Sequence, residues 1–106
     1  MDIDTGALFT PIVINGHTVK NRLSVAPMTR ITATEDGRAT EIMTRYYERF
    51  ARGGFGAVIT EGIYTDQAFS QGYVHQPGMA DEIQAGAWKP VVNGIKAHGA
   101  FTIAQM

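Results

Sequence analysis

The apolar and polar positions change rhythm several times along the chain, and each change predicts an element. Ile12-Val13-Ile14, Asn15-Gly16 and His17-Thr18-Val19 read as a β-hairpin. Asn-Gly supplies the two positive φ angles of a type I′ turn, and its flanks are rich in β-branched residues. Leu23-Ser24-Val25-Ala26 is a short strand closed by Pro27, which has no amide to donate to a ladder. The polar stretch 28–39 is a loop. From Thr40 the period becomes helical. Ile42, Tyr46 and Phe50 fall four apart with Met43 and Tyr47 beside them, which predicts one apolar helix face packed on a sheet. Thr40 suits the N-cap, Arg49 and Arg52 suit the C-terminal end of the dipole, and Gly53-Gly54 ends the helix. Ala57-Val58-Ile59-Thr60 is a continuous apolar run, as in a strand buried on both faces. A long loop over 63–80 follows.

Ile83, Ala87, Val91 and Ile95 repeat the helical spacing, with Trp88 and Val92 beside them. Pro90 interrupts this pattern, so a short turn over Asp81 to Gly86 and a new helix start near Trp88 are expected, in preference to a kink. Gly99 ends that helix. Ala100 to Ala104 opens a third buried strand, and the chain stops at Met106 in or beside it.

The order hairpin, β, α, β, α, β implies parallel pairing and an α/β fold. A doubly wound sheet and a (β/α)₈ TIM barrel both qualify. The glycine cluster Gly53-Gly54-Phe55-Gly56 lacks the Gly-x-Gly-x-x-Gly spacing and precedes a strand, which counts against a dinucleotide-binding sheet. Long loops after the strands favour the barrel, whose chemistry lies at the strand C-termini. A barrel takes about 250 residues, and the chain has 106. The expectation is an N-terminal portion of a single barrel domain, completed by further sequence, by a partner chain or by a homo-oligomer.

Composition narrows the chemistry. Nine Lys and Arg against ten Asp and Glu give a net charge of -1, so no basic face marks a nucleic-acid or anionic-membrane partner. The absence of cysteine excludes disulfides, thiolate nucleophiles and Cys-based metal sites. Asp2 and Asp4 stand where a signal peptide would want cations, and no apolar run approaches the roughly 18 residues of a membrane span. A cytoplasmic protein is the expectation. His75 and His98 show no metal spacing, and neither a P-loop nor a Gly-x-Ser-x-Gly elbow occurs.

Candidate chemistry therefore gathers past the strand ends: Pro27-Met28-Thr29-Arg30, then Glu61-Gly62, then Gln105. Each has a bland alternative as loop hydroxyl, turn glycine or solvated end. Glu61 is open to two readings, a general base or a structural ion pair with an arginine such as Arg30. Tyr64 and Tyr73 either line a pocket or pack the loop down, the second being favoured.

The strings Leu8 to Arg30 (Leu-Phe-Thr-Pro … Lys-Asn-Arg … Ala-Pro-Met-Thr-Arg), Tyr47 to Gly62, Gln71 to Gly78, Trp88 to Val92 and Ala104-Gln105-Met106 resemble, in order, the old yellow enzyme family of NADH:flavin oxidoreductases. The resemblance implies a (β/α)₈ barrel holding FMN. Ala26, Pro27 and Met28 would border the flavin, Thr29 would hydrogen-bond its C4 carbonyl, Gly62 would allow close approach, and Gln105 would meet the pyrimidine edge. It implies hydride transfer from NAD(P)H through FMN to the activated C=C of an α,β-unsaturated carbonyl compound, a small-molecule alkene. The family's substrate-binding His/Asn pair, its proton-donating Tyr and its phosphate-binding residues would lie on later strands. The 106 residues alone are accordingly expected to bind FMN weakly and to be inactive. Two other readings stay open: a non-flavin barrel aldolase or isomerase, and a non-catalytic half-barrel that assembles with a partner.

Overall fold

A computed structural model describes residues 3–106. A short 3-10 turn, Gly6–Phe9, leads into strands β1 (Ile12–Ile14) and β2 (His17–Val19). They pair antiparallel in the register Ile12↔Val19, with Asn15 at φ 47° and Gly16 at φ 79° forming the turn. Then follow β3 (Ser24–Val25), α1 (Glu41–Arg52), β4 (Ala57–Gly62), α2 (Glu82–Lys96) and β5 (Phe101–Gln105). The last three strands form a parallel sheet in the order β3-β4-β5. Both helices pack on one side of it, around a core that includes Val25, Met43, Tyr47, Val58, Trp88, Val91 and Ile95. The described residues make a partial α/β unit with no closed barrel.

Lys20-Asn21-Arg22 shows how the hairpin is fastened to this unit. Asn21 Nδ2 donates to the Gly54 carbonyl at 2.7 Å, and its Oδ1 accepts from the Leu23 amide at 3.1 Å. Lys20 Nζ reaches the His98 carbonyl at 2.9 Å. One side chain thus joins the exit of the hairpin to the turn before β4, and its neighbour joins it to the end of α2.

Thr40 caps α1 as expected, its Oγ1 accepting from the Met43 amide at 3.3 Å. The helix closes through Gly53 in a right-handed conformation, and Gly54 takes the positive φ. Three expectations need correction. The inward face of α1 is Met43, Tyr47 and Ala51, whereas Ile42 is 60% exposed and Tyr46 and Phe50 are half-buried. The apolar stripe is wider than the sheet covers, and packing against α2 rotates it. Secondly, α2 does not restart near Trp88. It runs unbroken from Glu82 through Pro90, capped by Asp81, whose side chain accepts from the Gln84 amide at 2.7 Å. Proline inside a helix costs about 3 kcal/mol, but Pro90 lies on the exposed face and its i−4 residue is Gly86. Burial of Gln84, Trp88, Val91 and Ile95 on the other face outweighs that cost. Thirdly, β5 is not a buried strand. Ala100 is buried, but Ile103, Ala104 and Gln105 are exposed, because nothing among the described residues packs over the C-terminal half of β5.

Candidate functional site

The C-terminal ends of β3, β4 and β5 carry the expected residues. Val25 is buried, and the chain then surfaces so that Ala26, Pro27, Met28 and Thr29 are all exposed. Gly62 ends β4 directly opposite Gln105 on β5, and the Ile63 amide donates to the Gln105 carbonyl at 2.9 Å. The structure therefore brings Gly62 and Gln105 together. No hydrogen bond joins Thr29 to either. Among the described residues, the Thr29 hydroxyl and the Gln105 amide group make no side-chain hydrogen bond.

Gly62 sits in space the chain itself leaves open. Among the described residues, a Cβ built there would meet only Gln76 Nε2, at an ordinary 3.7 Å. That Gln76 amide donates to the Gly62 carbonyl at 3.0 Å while its Oε1 accepts from the Gly72 amide at 2.7 Å. Gln76 was not singled out from the sequence. Its only signal was its place in the Gln-Pro-Gly string of the long loop.

Glu61, next to Gly62, turns the other way. It is 1% exposed, and Tyr47 is buried to the same degree. The Tyr47 hydroxyl donates to Glu61 Oε2 at 2.6 Å and accepts from the Glu61 amide at 2.8 Å. The ion pair with Arg30, one of the two readings left open for Glu61, is not formed. Arg30 instead lays its guanidinium 4.1 Å from the centre of the Tyr46 ring. That ring meets Tyr47 edge-on at 5.0 Å. Burial pushes the Glu61 carboxyl up from 4.5. The Tyr47 hydrogen bond, the Arg30 and Ile31 backbone amides and the Arg30 charge oppose it without cancelling it. Burial, then the bond to Glu61, likewise pushes the Tyr47 hydroxyl up.

An acid with a raised pKa in the fold stabilises that fold fully below its unfolded value. The contribution is lost as pH rises through the folded value. Glu61→Gln carries no charge at any pH. Its melting temperature should therefore gain on that of the wild type as pH rises from below 4.5 toward neutrality. Melting curves that stay parallel across that range would show that Glu61 ionises as freely in the fold as outside it.

Tyr64 packs the loop down, as favoured from the sequence. It is 3% exposed, its hydroxyl accepting from Gln84 Nε2 at 2.8 Å, while Tyr73 is 59% exposed. His17 is exposed beside Phe101, 5.3 Å between ring centres. His75 Nδ1 lies 3.0 Å from the Ala33 carbonyl, and His98 Nε2 lies 3.2 Å from Glu48 Oε1. Among the described residues no group of three or more His, Asp or Glu could hold a metal, and no helix is long and apolar enough to cross a membrane.

The exposed segment 26–29, the uncrowded Gly62 and Gln105 thus stand at the C-terminal ends of a three-stranded parallel sheet in a partial α/β unit. The family model of the NADH:flavin oxidoreductase / NADH oxidase family matches residues 7–106, and the chain belongs to that family. It is 34% identical over 93% of its length to chanoclavine-I aldehyde reductase of Penicillium roqueforti, covering 27% of that protein. It is 25% identical over 93% of its length to a probable flavin mononucleotide-dependent alkene reductase of Leishmania infantum, covering 26% of it. The solved structure of the old yellow enzyme homologue from Zymomonas mobilis superposes with a TM-score of 0.83 at 36% identity, over 92% of this chain and 27% of that one. The chain spans about a quarter of the length of the curated relatives it matches.

Proposed function

We propose that the chain forms the first part of a (β/α)₈ barrel that binds FMN and uses NAD(P)H to reduce the activated C=C of an α,β-unsaturated carbonyl compound. The observation that carries this reading is the open glycine. Gly62 stands beside Gln105 at the strand ends, where no atom of the described residues requires the position to be glycine. A flat ring lying close over that backbone would require it.

The donor set suits such a ring. Gln105 offers an amide donor and acceptor to the C2 carbonyl and N3–H of the pyrimidine edge, and Thr29 offers a hydroxyl to the C4 carbonyl. Ala26, Pro27 and Met28 border the ring by backbone and packing. FMN, when bound, supplies the hydride-carrying centre. The chain's residues hold and orient it, and their fixed donors favour negative charge on that edge. Groups that bind the alkene and protonate it belong to the rest of the barrel.

The complete barrel should be yellow as purified, with flavin absorption bands, and should oxidise NAD(P)H in the presence of an enone. A colourless protein that takes up no FMN would overturn the reading in favour of a non-flavin barrel. Within the flavoprotein, Thr29→Ala removes one hydrogen bond of about 0.5–1.5 kcal/mol. At about 30 mV per 1.4 kcal/mol for two electrons, the flavin potential should fall by roughly 10–30 mV. An unchanged potential would take Thr29 out of this role.

A further inference from the structure

The register of β4 against β5 shifts inside the strand. Ile59 pairs with Ile103, and the next pairing is Gly62 with Gln105. Three steps along β4 thus match two along β5, so β4 carries one extra residue, a β-bulge at Thr60–Glu61. Successive side chains alternate between faces, so Ile103 and Gln105 share one face of β5. Without the extra residue, Glu61 would pair with Gln105, and Gly62 would turn to the opposite face. The bulge therefore decides whether a glycine or a carboxyl stands beside Gln105.

A bulge leaves backbone groups without ladder partners, and here side chains take them up. The Glu61 amide donates to Tyr47 Oη at 2.8 Å, and Thr60 Oγ1 donates to the Glu61 carbonyl at 2.9 Å. The Gln105 amide donates to that same Thr60 oxygen at 3.1 Å. The Tyr47 hydroxyl closes the circuit on Glu61 Oε2 at 2.6 Å. Core packing alone gives no reason for this arrangement. Glu61 Oε1 is buried and completes no hydrogen bond, so the nearby Arg30 and Ile31 amides only partly offset its burial, and an apolar residue of similar volume would avoid that cost. The same tyrosine, through Tyr46, also abuts Arg30 and hence the segment that carries Thr29.

We propose that Tyr47, Glu61 and Thr60 form a positioning device that holds the β4 bulge, presenting Gly62 rather than a carboxyl beside Gln105 at the flavin ring. This rests on the FMN reading above. All three side chains are buried. They act through the backbone of Gly62 and Gln105.

The test uses the complete barrel. Tyr47→Phe keeps the aromatic packing and deletes both hydrogen bonds. Thr60→Val deletes the hydroxyl on the other side of the bulge at nearly constant volume, and serves alone if Tyr47→Phe fails to fold. Glu61→Gln keeps an acceptor for Tyr47. Tyr47→Phe, Thr60→Val and Glu61→Leu, which deletes the acceptor of the Tyr47 hydroxyl, should each weaken FMN binding by about tenfold and shift the visible flavin bands, while the conservative Glu61→Gln recovers most of what Glu61→Leu loses. Lower melting temperatures with unchanged affinity and spectrum would overturn the proposal. Amide hydrogen exchange at Glu61 and Gln105 separates it from the FMN reading. If the wild type takes up no FMN, faster exchange at those two amides in Tyr47→Phe upholds the bulge device. Exchange that is unchanged, or faster everywhere alike, defeats it.

Discussion

Trp88→Ala should destabilise the protein by about 3–5 kcal/mol, the usual cost of emptying a large aromatic site in a core. Trp88 is 3% exposed and packs among α1, α2 and the sheet, 6.3 Å from Tyr47 between ring centres. Its indole Nε1 donates to the Gly78 carbonyl at 3.1 Å. That bond fixes the far end of the loop following β4, so the side chain joins helix packing to loop position. Alanine leaves both a cavity and a buried carbonyl without its donor. Trp88→Phe separates the two, since it keeps most of the ring and loses only the hydrogen bond. It should cost about 0.5–1.5 kcal/mol plus whatever the smaller ring leaves unfilled. Urea unfolding of the three proteins measures this. A loss below about 1 kcal/mol for alanine would mean that α2 repacks freely, and that the core does not set the position of the loop.

Features governed by local chemistry were legible in the sequence. Asn15-Gly16 fixed the hairpin because those two residues tolerate the dihedrals the turn requires. Thr40 marked the start of α1 because its hydroxyl answers a free amide three residues on. The places where strands end were legible too, since each apolar run stops at a residue that breaks it. The ends were read only to within a residue or two, since Glu61 and Gly62, expected just past the second strand, lie inside β4. What failed depended on contacts distant in the chain. Pro90 argues locally for a helix break, and only the burial of Trp88, Val91 and Ile95 on the opposite face overrides it. Ile103 reads as buried, and is not, because no described element covers its face of β5. The Tyr47–Glu61 pair had half a signal. A carboxyl closing an apolar run announced burial, but its partner lies fourteen residues away, and the bulge that turns it toward α1 leaves no mark in the pattern Ala57 to Gly62. Arg30 was the obvious partner by charge, and the tyrosines took both places.

Gly37→Ala should be damaging for a different reason, at about 2–5 kcal/mol from backbone strain together with overpacking. Gly37 has φ +78°, a conformation that costs any residue with a Cβ, and here the added methyl has nowhere to go. It would overlap the Tyr64 hydroxyl and lie 2.7 Å from Gln84 Nε2. Neither neighbour is free to yield. Gln84 Nε2 donates to Tyr64 Oη at 2.8 Å and to the Asp36 carbonyl at 3.0 Å, and its Oε1 accepts from the Ala80 amide at 2.8 Å. The Gly37 carbonyl accepts from the Gly78 amide at 2.9 Å. These bonds lock the loop after β3 to the loop after β4, the two segments that follow Val25 and Gly62. The double variant Gly37→Ala/Tyr64→Phe removes the overlapping hydroxyl but not the strain in φ. It should therefore be less damaged than the sum of the two single changes, the mark of residues in direct contact. Strict additivity would assign the whole loss to the backbone. A Gly37→Ala protein as stable as the wild type would show that the two loops slide past one another, and the strand ends could not then hold a fixed geometry for any ring laid across them.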